Sequence, residues 1–317
     1  MLYLSDEDVV RHAPLEEVIS AVEEAFKYFS LGVTVTPLRT RVEAREYRGD
    51  ILLMPCYMPA MNVFSTKIVT VYPENMARGL PTIQASVVAV NPSNGSIMFV
   101  ASARALTGMR TGAATAVSFK YLGRKDSQVL GLIGCGYQAG WQLRALSKVA
   151  KLEEVMVYDI DGERMEKFAR EMGGETGLPV KPVREPEKLV HGSDIVVTAT
   201  TSRTPVVLKG WVKPGTHISA IGAYTPDMAE LDPELVASSK LVVDSREAAL
   251  EEAGDIIQAI RKGLMAKEKI YAELGELAAG LKPGRTGVEE ITIFKSVGLA
   301  VQDAAVVKVL ADHLTTR

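Results

Sequence analysis

The stretch 128–159, QVLGLIGCGYQAGWQLRALSKVAKLEEVMVYD, constrains the fold more than any other. An apolar run at 129–133 reads as a buried strand and leads straight into Gly134-Cys135-Gly136-Tyr137-Gln138-Ala139. A helical pattern follows, with Trp141, Leu143, Ala145, Leu146 and Val149 on its apolar face. A second apolar run, 155–158, ends on Asp159. Strand, glycine turn, helix, strand and acid form a dinucleotide-binding unit. Gly134 permits the tight turn. Gly136 lacks a Cβ, so backbone can approach a pyrophosphate. Ala139 lets the helix pack close to its strand, and the helix N-terminus favours an anion. Asp159 lies 25 residues after Gly134, suited to accept from ribose hydroxyls. The bland alternative is a glycine turn that binds nothing, and the acid at the second strand end argues against it.

Strand and helix alternate around this unit from 128 to about 245. Strands are expected at 129–133, 154–158, 194–199, 216–221 and 240–243, with helices at 138–149, 162–172 and 185–191. That alternation implies a parallel sheet. Residues 246–282 read as helical, and 290–314 as a short strand followed by a long apolar-faced helix. The N-terminal part differs. Ser5 can cap a short helix, and Pro14 opens an amphipathic helix to about Leu31. Segments 36–47, 51–57, 63–72 and 83–91 then read as strands, and Asn94-Gly95 as a hairpin turn. Residues 103–123, rich in Ala, Gly and Thr, return to helix. The expected fold is α/β: a Rossmann domain over 122–292, and a discontinuous α+β domain formed by 1–121 with 293–317.

Composition removes several functions. The net charge of −3 carries no nucleic-acid footprint. No apolar stretch reaches the ~18 residues of a membrane span. The only cysteines are Cys56 and Cys135, and the four histidines are scattered, so neither a disulfide framework nor a metal site is expected. A reduced, cytoplasmic setting follows.

Three cations stand in apolar or small-residue settings: Arg39, Lys67 and Arg110. They either converge on an anion such as a substrate carboxylate or form three structural salt bridges. Arg41 shares a strand face with Arg39 by period two and is its rival. A buried Lys67 would also have its pKa lowered and could exchange a proton. Thr82 offers a hydroxyl to a ligand or simply ends a turn. At the strand ends, Asp227 is a general acid or a cap. Ser296 opens the final helix, where it meets a ligand or caps the helix.

RTGAATAVSFKYL, GLIGCGYQA, HISAIGAYTPDMAELD and EEITIFKSVGLAVQD, in that order, resemble the ornithine cyclodeaminase/mu-crystallin family over essentially the whole chain. The resemblance implies a homodimer whose discontinuous N-terminal domain binds substrate and forms the interface. It implies hydride transfer between nicotinamide and the α-carbon of a small amino or imino acid. Arg39, Lys67 and Arg110 would hold the substrate carboxylate, with Thr82 near them. Lys67 and Asp227 would serve proton transfer. Thr111, Gly134, Gly136, Gln138, Ala139, Asp159, Ser296 and Gly298 would hold the cofactor. Where deaminating members carry an aspartate, this chain has Tyr224, and Leu52 replaces an arginine of alanine dehydrogenases. Both departures favour reduction of a preformed cyclic ketimine, such as pyrroline- or piperideine-2-carboxylate. Alanine dehydrogenase, ornithine cyclodeaminase and a non-catalytic, NAD(P)H-gated carboxylate-binding protein are the alternatives. Asp159 points to NAD, with NADP as the alternative that Arg164 would assist.

Overall fold

A computed structural model describes residues 2–315. The chain divides into two compact units, Met1–Arg110 with Leu299–Arg317, and Thr111–Gly298. The first division falls inside the helix Ala103–Leu122, eleven residues before the expected boundary at 121, and the second just before the helix Ala300–Thr315.

Unit 1 holds a six-stranded sheet of β1 (Leu2–Leu4), β2 (Thr40–Ala44), β3 (Gly49–Met58), β4 (Val63–Val71), β5 (Ile83–Val90) and β6 (Ile97–Ser102), in the order β1-β6-β5-β4-β3-β2. All pairs are antiparallel except β1 with β6. The turn after β5 is closed by Asn91 and Ser96, as the Asn94-Gly95 signal predicts. β1 went unread because three residues are too short to show a period. The 36–47 segment keeps only five strand residues, since Pro37 cannot donate to a ladder. Ser5 caps the helix Asp6–His12 in a capping box with Asp8. The alternation of β3 and β4 turns Met54, Cys56 and Met58, and Val63, Ser65 and Lys67, to the buried face. The final helix packs against β3, β4 and the helix Leu15–Ser30.

Unit 2 is built on an eight-stranded, wholly parallel sheet. Its strands are β7 (Val129–Ile133), β8 (Glu154–Tyr158), β9 (Val180–Pro182), β10 (Ile195–Thr198), β11 (His217–Ala220), β12 (Lys240–Val243), β13 (Ala272–Glu273) and β14 (Thr292–Lys295). Their order is β13-β12-β14-β11-β10-β7-β8-β9. The chain runs outward from β7 through β8 to β9, then returns to β10 on the other side. Such a reversal opens a crevice at the carboxyl ends of β7 and β10. The expected helix over 246–282 is broken. Helices Arg246–Glu252 and Gly254–Arg261 end at Gly263, whose φ is +70°. The chain then turns into the edge strand β13, which pairs with β12. Propensity over that window favours helix, but the open edge of β12 outweighs it. Among the described residues, no helix is long and apolar enough to cross a membrane.

Candidate active site

The glycine turn closes the β7 strand end as its sequence predicts. Gly134 has φ +94°, and a Cβ there would lie 2.6 Å from the carbonyl oxygen of Ala199, just past β10. Only glycine lets the two strand ends pass this closely. Around Gly136 the case is the reverse: nothing lies within 4 Å of where its Cβ would be. Gly136 is the N-cap of the helix Tyr137–Leu146, and no side chain caps that end. Open space, a backbone without Cβ and an uncapped helix N-terminus fit the pyrophosphate of a dinucleotide. Ala139 is fully buried. Gln138 keeps a buried Oε1 without a hydrogen-bond partner.

Asp159 sits one residue past β8. Its Oδ2 accepts from the Cys135 backbone N–H at 2.8 Å, and its Oδ1 from Asp161 N–H at 2.9 Å. The carboxylate is thereby tied to the glycine turn and aimed by two backbone donors. Arg164 lies 2.9 Å from Asp161 and 3.7 Å from Asp159, so its charge is engaged by both carboxylates. A cleft of about 900 Å³ opens beside this strand end, lined by Asp159, Ile160, Arg170 and Arg184 among others. Cys135 lies buried in the turn, and burial pushes its thiol up to about 12.

Two loops at neighbouring strand ends share one acid, which the sequence reading missed. The Glu230 carboxylate accepts from Thr200 N–H (2.7 Å), Thr200 Oγ1–H (2.9 Å), Gly222 N–H (2.7 Å) and Ala223 N–H (3.1 Å). Asp255 in turn accepts from Glu230 and Leu231 N–H, at 2.6 and 2.9 Å, and pairs with Lys295 at 3.0 Å. Burial raises the Glu230 carboxyl above its usual range, opposed by Lys295 and the Thr200 donors.

Asp227 and the turn 296–298 meet partners from within the protein. Asp227 is exposed and held by Thr225 Oγ1 (2.6 Å) and Arg203 (3.2 Å). The Thr225 bond holds its carboxyl below the usual range. It therefore stays ionised near neutrality. Ser296 and Gly298 do not offer free donors to a cofactor. Asp244 Oδ2 accepts from Ser296 Oγ (2.8 Å), Val297 N–H (2.8 Å) and Gly298 N–H (2.7 Å). The cause is register: β12 and β14 run side by side, so the acid ending one strand meets the turn ending the other. Tyr224 is exposed, and Thr111 is buried in the helix that also carries Arg110.

In unit 1 the cations Lys67 and Arg110 converge, together with an acid that was not foreseen. Lys67 is 2% exposed, and its Nζ lies 2.8 and 2.7 Å from the two oxygens of Asp303, itself 1% exposed. Arg110 Nε lies 3.3 Å from the same Asp303. Arg110 Nη1 donates to Gln302 Oε1 at 2.8 Å. Burial is the largest influence on Lys67 and draws its ammonium down to about 8. Asp303 pulls the other way, while Arg110 and Arg39 add to the decrease. Arg39 is half-buried just before β2, and its charge reaches Lys67. Its rival Arg41 is exposed and bound to Asp50 at 2.7 and 3.0 Å. Thr82 sits half-buried just before β5, and its carbonyl accepts from Tyr72 N–H. A signal for Asp303 was present: Gln302 and Asp303 are two polar residues in the otherwise apolar run LAVQDAAVV, and three cations lacked an acid.

The sequence model of the ornithine cyclodeaminase/mu-crystallin family matches residues 1–317. The chain is 40% identical over 317 residues to the alanine dehydrogenase of Archaeoglobus fulgidus, covering 100% of this chain and 96% of that protein. It is 37% identical over 314 residues to the ketimine reductase mu-crystallin of Rattus norvegicus, covering 98% and 96%. Among solved structures, the Thermococcus litoralis delta(1)-pyrroline-2-carboxylate reductase in complex with NADH and L-proline superposes with a TM-score of 0.95. It shares 43% identity, over 100% of this chain and 98% of that one.

Proposed function

This chain belongs to the ornithine cyclodeaminase/mu-crystallin family, and from that membership we propose that it is an NAD-dependent reductase of cyclic ketimines bearing a carboxylate. Pyrroline-2-carboxylate and piperideine-2-carboxylate are the substrates of choice. The observation that carries the reading is the buried group in unit 1, where two cations, Lys67 and Arg110, share a single acid, Asp303. A buried excess of positive charge calls for an anion, and a planar substrate carboxylate meets that need. The relative of known structure bound to L-proline, the reduced form of pyrroline-2-carboxylate, supports the same substrate class.

Each residue then has a task. Arg110 and Lys67 bind the carboxylate, Arg110 through its planar fork, with Arg39 adding charge. Thr82 lies near the same substrate. Lys67, brought down to about 8, gives its proton to the ring nitrogen and makes the α-carbon electrophilic. It then regains a proton from water. Bound NADH supplies the hydride. In unit 2, Gly134, Gly136, Gln138 and Ala139 hold the pyrophosphate, and Asp159 takes the ribose hydroxyls. Asp159 also repels a 2′-phosphate, which favours NAD over NADP. Unit 1 is the substrate-binding and dimerising part. Its outward strand residues Val42, Ile68 and Ile83 are exposed and apolar, which suits a homodimer interface. Cys56 and Cys135, both free thiols, suit the cytoplasm.

A panel followed by NADH consumption tests the reading, with pyrroline-2-carboxylate, piperideine-2-carboxylate, and pyruvate plus ammonia. The expected order puts the cyclic imines first by tenfold or more in kcat/KM, roughly 1.4 kcal/mol. The kinship with an alanine dehydrogenase makes the pyruvate arm a real competitor. Faster turnover there would replace the ketimine by alanine. Tight NADH binding with no turnover on any arm would leave a binding protein.

A further inference from the structure

We propose that Asp303 is the positioning residue of the carboxylate clamp, holding Lys67 charged and aimed while tethering Arg110. The clamp is then set by the first turn of the C-terminal helix as well as by the sheet. This rests on the proposed reading of Lys67 and Arg110 as the clamp.

The geometry is specific. Both Asp303 oxygens lie within 2.8 Å of Lys67 Nζ, and the same carboxylate lies 3.3 Å from Arg110 Nε. The preceding residue completes the anchor. Gln302 Oε1 accepts from Arg110 Nη1 at 2.8 Å and from Leu299 N–H at 3.3 Å. Consecutive residues of one helix turn therefore grip both cations.

The electrostatics need such an acid. Three charges bear on Lys67: Asp303 from the final helix, Arg110 from the helix Ala103–Leu122, and Arg39 from the segment before β2. Cys56 on β3 also feels Asp303, but burial pushes its thiol up to about 12 and leaves it neutral. Without Asp303, a fully buried lysine would face only cations, and both burial and repulsion would strip its proton. A neutral amine neither clamps a carboxylate nor protonates an imine. With Asp303 present, Lys67 is charged at neutral pH and still able to release its proton. Asp303 lies 236 residues from Lys67, so this pairing exists only because the final helix returns to β4.

The test uses the full chain with carbon-13-labelled lysine side chains, the Lys67 signal being assigned by its loss in Lys67→Arg. In Asp303→Asn the Lys67 titration should move to lower pH by about one to three units. The high-pH limb of kcat/KM for pyrroline-2-carboxylate should move with it. Activity should recover to within a few-fold of wild type at acid pH, which damage to the fold would not produce. Asp303→Glu keeps the charge but displaces it. Its Lys67 midpoint should stay near wild type while KM rises about tenfold with kcat little changed; this variant carries the test if the asparagine form does not fold. An unmoved Lys67 midpoint in Asp303→Asn, or a loss of activity equal at every pH, overturns the proposal. So does an unchanged KM in Asp303→Glu with a shifted midpoint. If wild type reduces no imine, the substrate reading fails, while the lysine titration still decides the role of Asp303.

Discussion

Two buried lysines make a natural experiment within one chain. Lys67 in unit 1 and Lys295 in unit 2 are each almost wholly enclosed, and each faces one aspartate at about 3 Å or less. Their surroundings differ in sign and in saturation. Lys295 meets two acids, Asp255 and Glu230, and those acids already accept from backbone donors of five residues and a threonine hydroxyl. Lys67 meets one acid and two further cations. In the first arrangement one cation stands between two acids whose donors come mostly from the protein's own loops, and it ties together the loops after β10 and β11. In the second, Lys67 and Arg110 share the single acid Asp303. A buried ion pair by itself therefore says little about function. The excess around it says more.

That contrast can be broken at either end. The largest effect is expected for Lys67→Met, which should lower kcat/KM on the best imine by about 10²–10⁴-fold. NADH affinity and melting temperature should stay close to wild type, because Asp303 keeps Arg110. Steady-state kinetics and NADH fluorescence check this, and a near-normal kcat would remove Lys67 from the chemistry. Lys295→Met should act in the opposite way. It strips the cation from two buried acids and should lower stability by about 3–5 kcal/mol, read by denaturant unfolding. A variant as stable as wild type but inactive would mean that Lys295, not Lys67, is the working lysine. The smallest effect belongs to Asp159→Asn. Losing a charged acceptor costs ~1.5–3 kcal/mol, so the NADH to NADPH affinity ratio should fall by at least about tenfold. Asparagine is the cleaner choice than alanine, since Asp159 also braces Cys135 and Asp161. An unchanged ratio would free Asp159 from any part in cofactor choice.

How legible each half was follows from distance along the chain. The turn at 134–139 and Asp159 are local, and strands 129–133, 154–158 and 240–243 were read to the residue. Short edge strands such as β9 and β13 were missed, because two or three residues carry no period and only an open neighbouring edge makes them strands. The turn 296–298 shows the same limit in the site. Its sequence has the form of an anion-binding helix start, yet the anion it holds is Asp244, 52 residues earlier at Ser296.

Sequence alone determined the family, the α/β alternation, the dinucleotide turn and three cations in apolar or small-residue settings, because each rests on neighbouring residues or on burial pattern. Tertiary structure alone decided which acids meet those cations. Asp303 reaches Lys67 only when the last helix folds back on β4, and Glu230 gathers its donors only when parallel strand ends line up. Electrostatics depends on separation in space, and periodicity carries no information about separations of 236 residues.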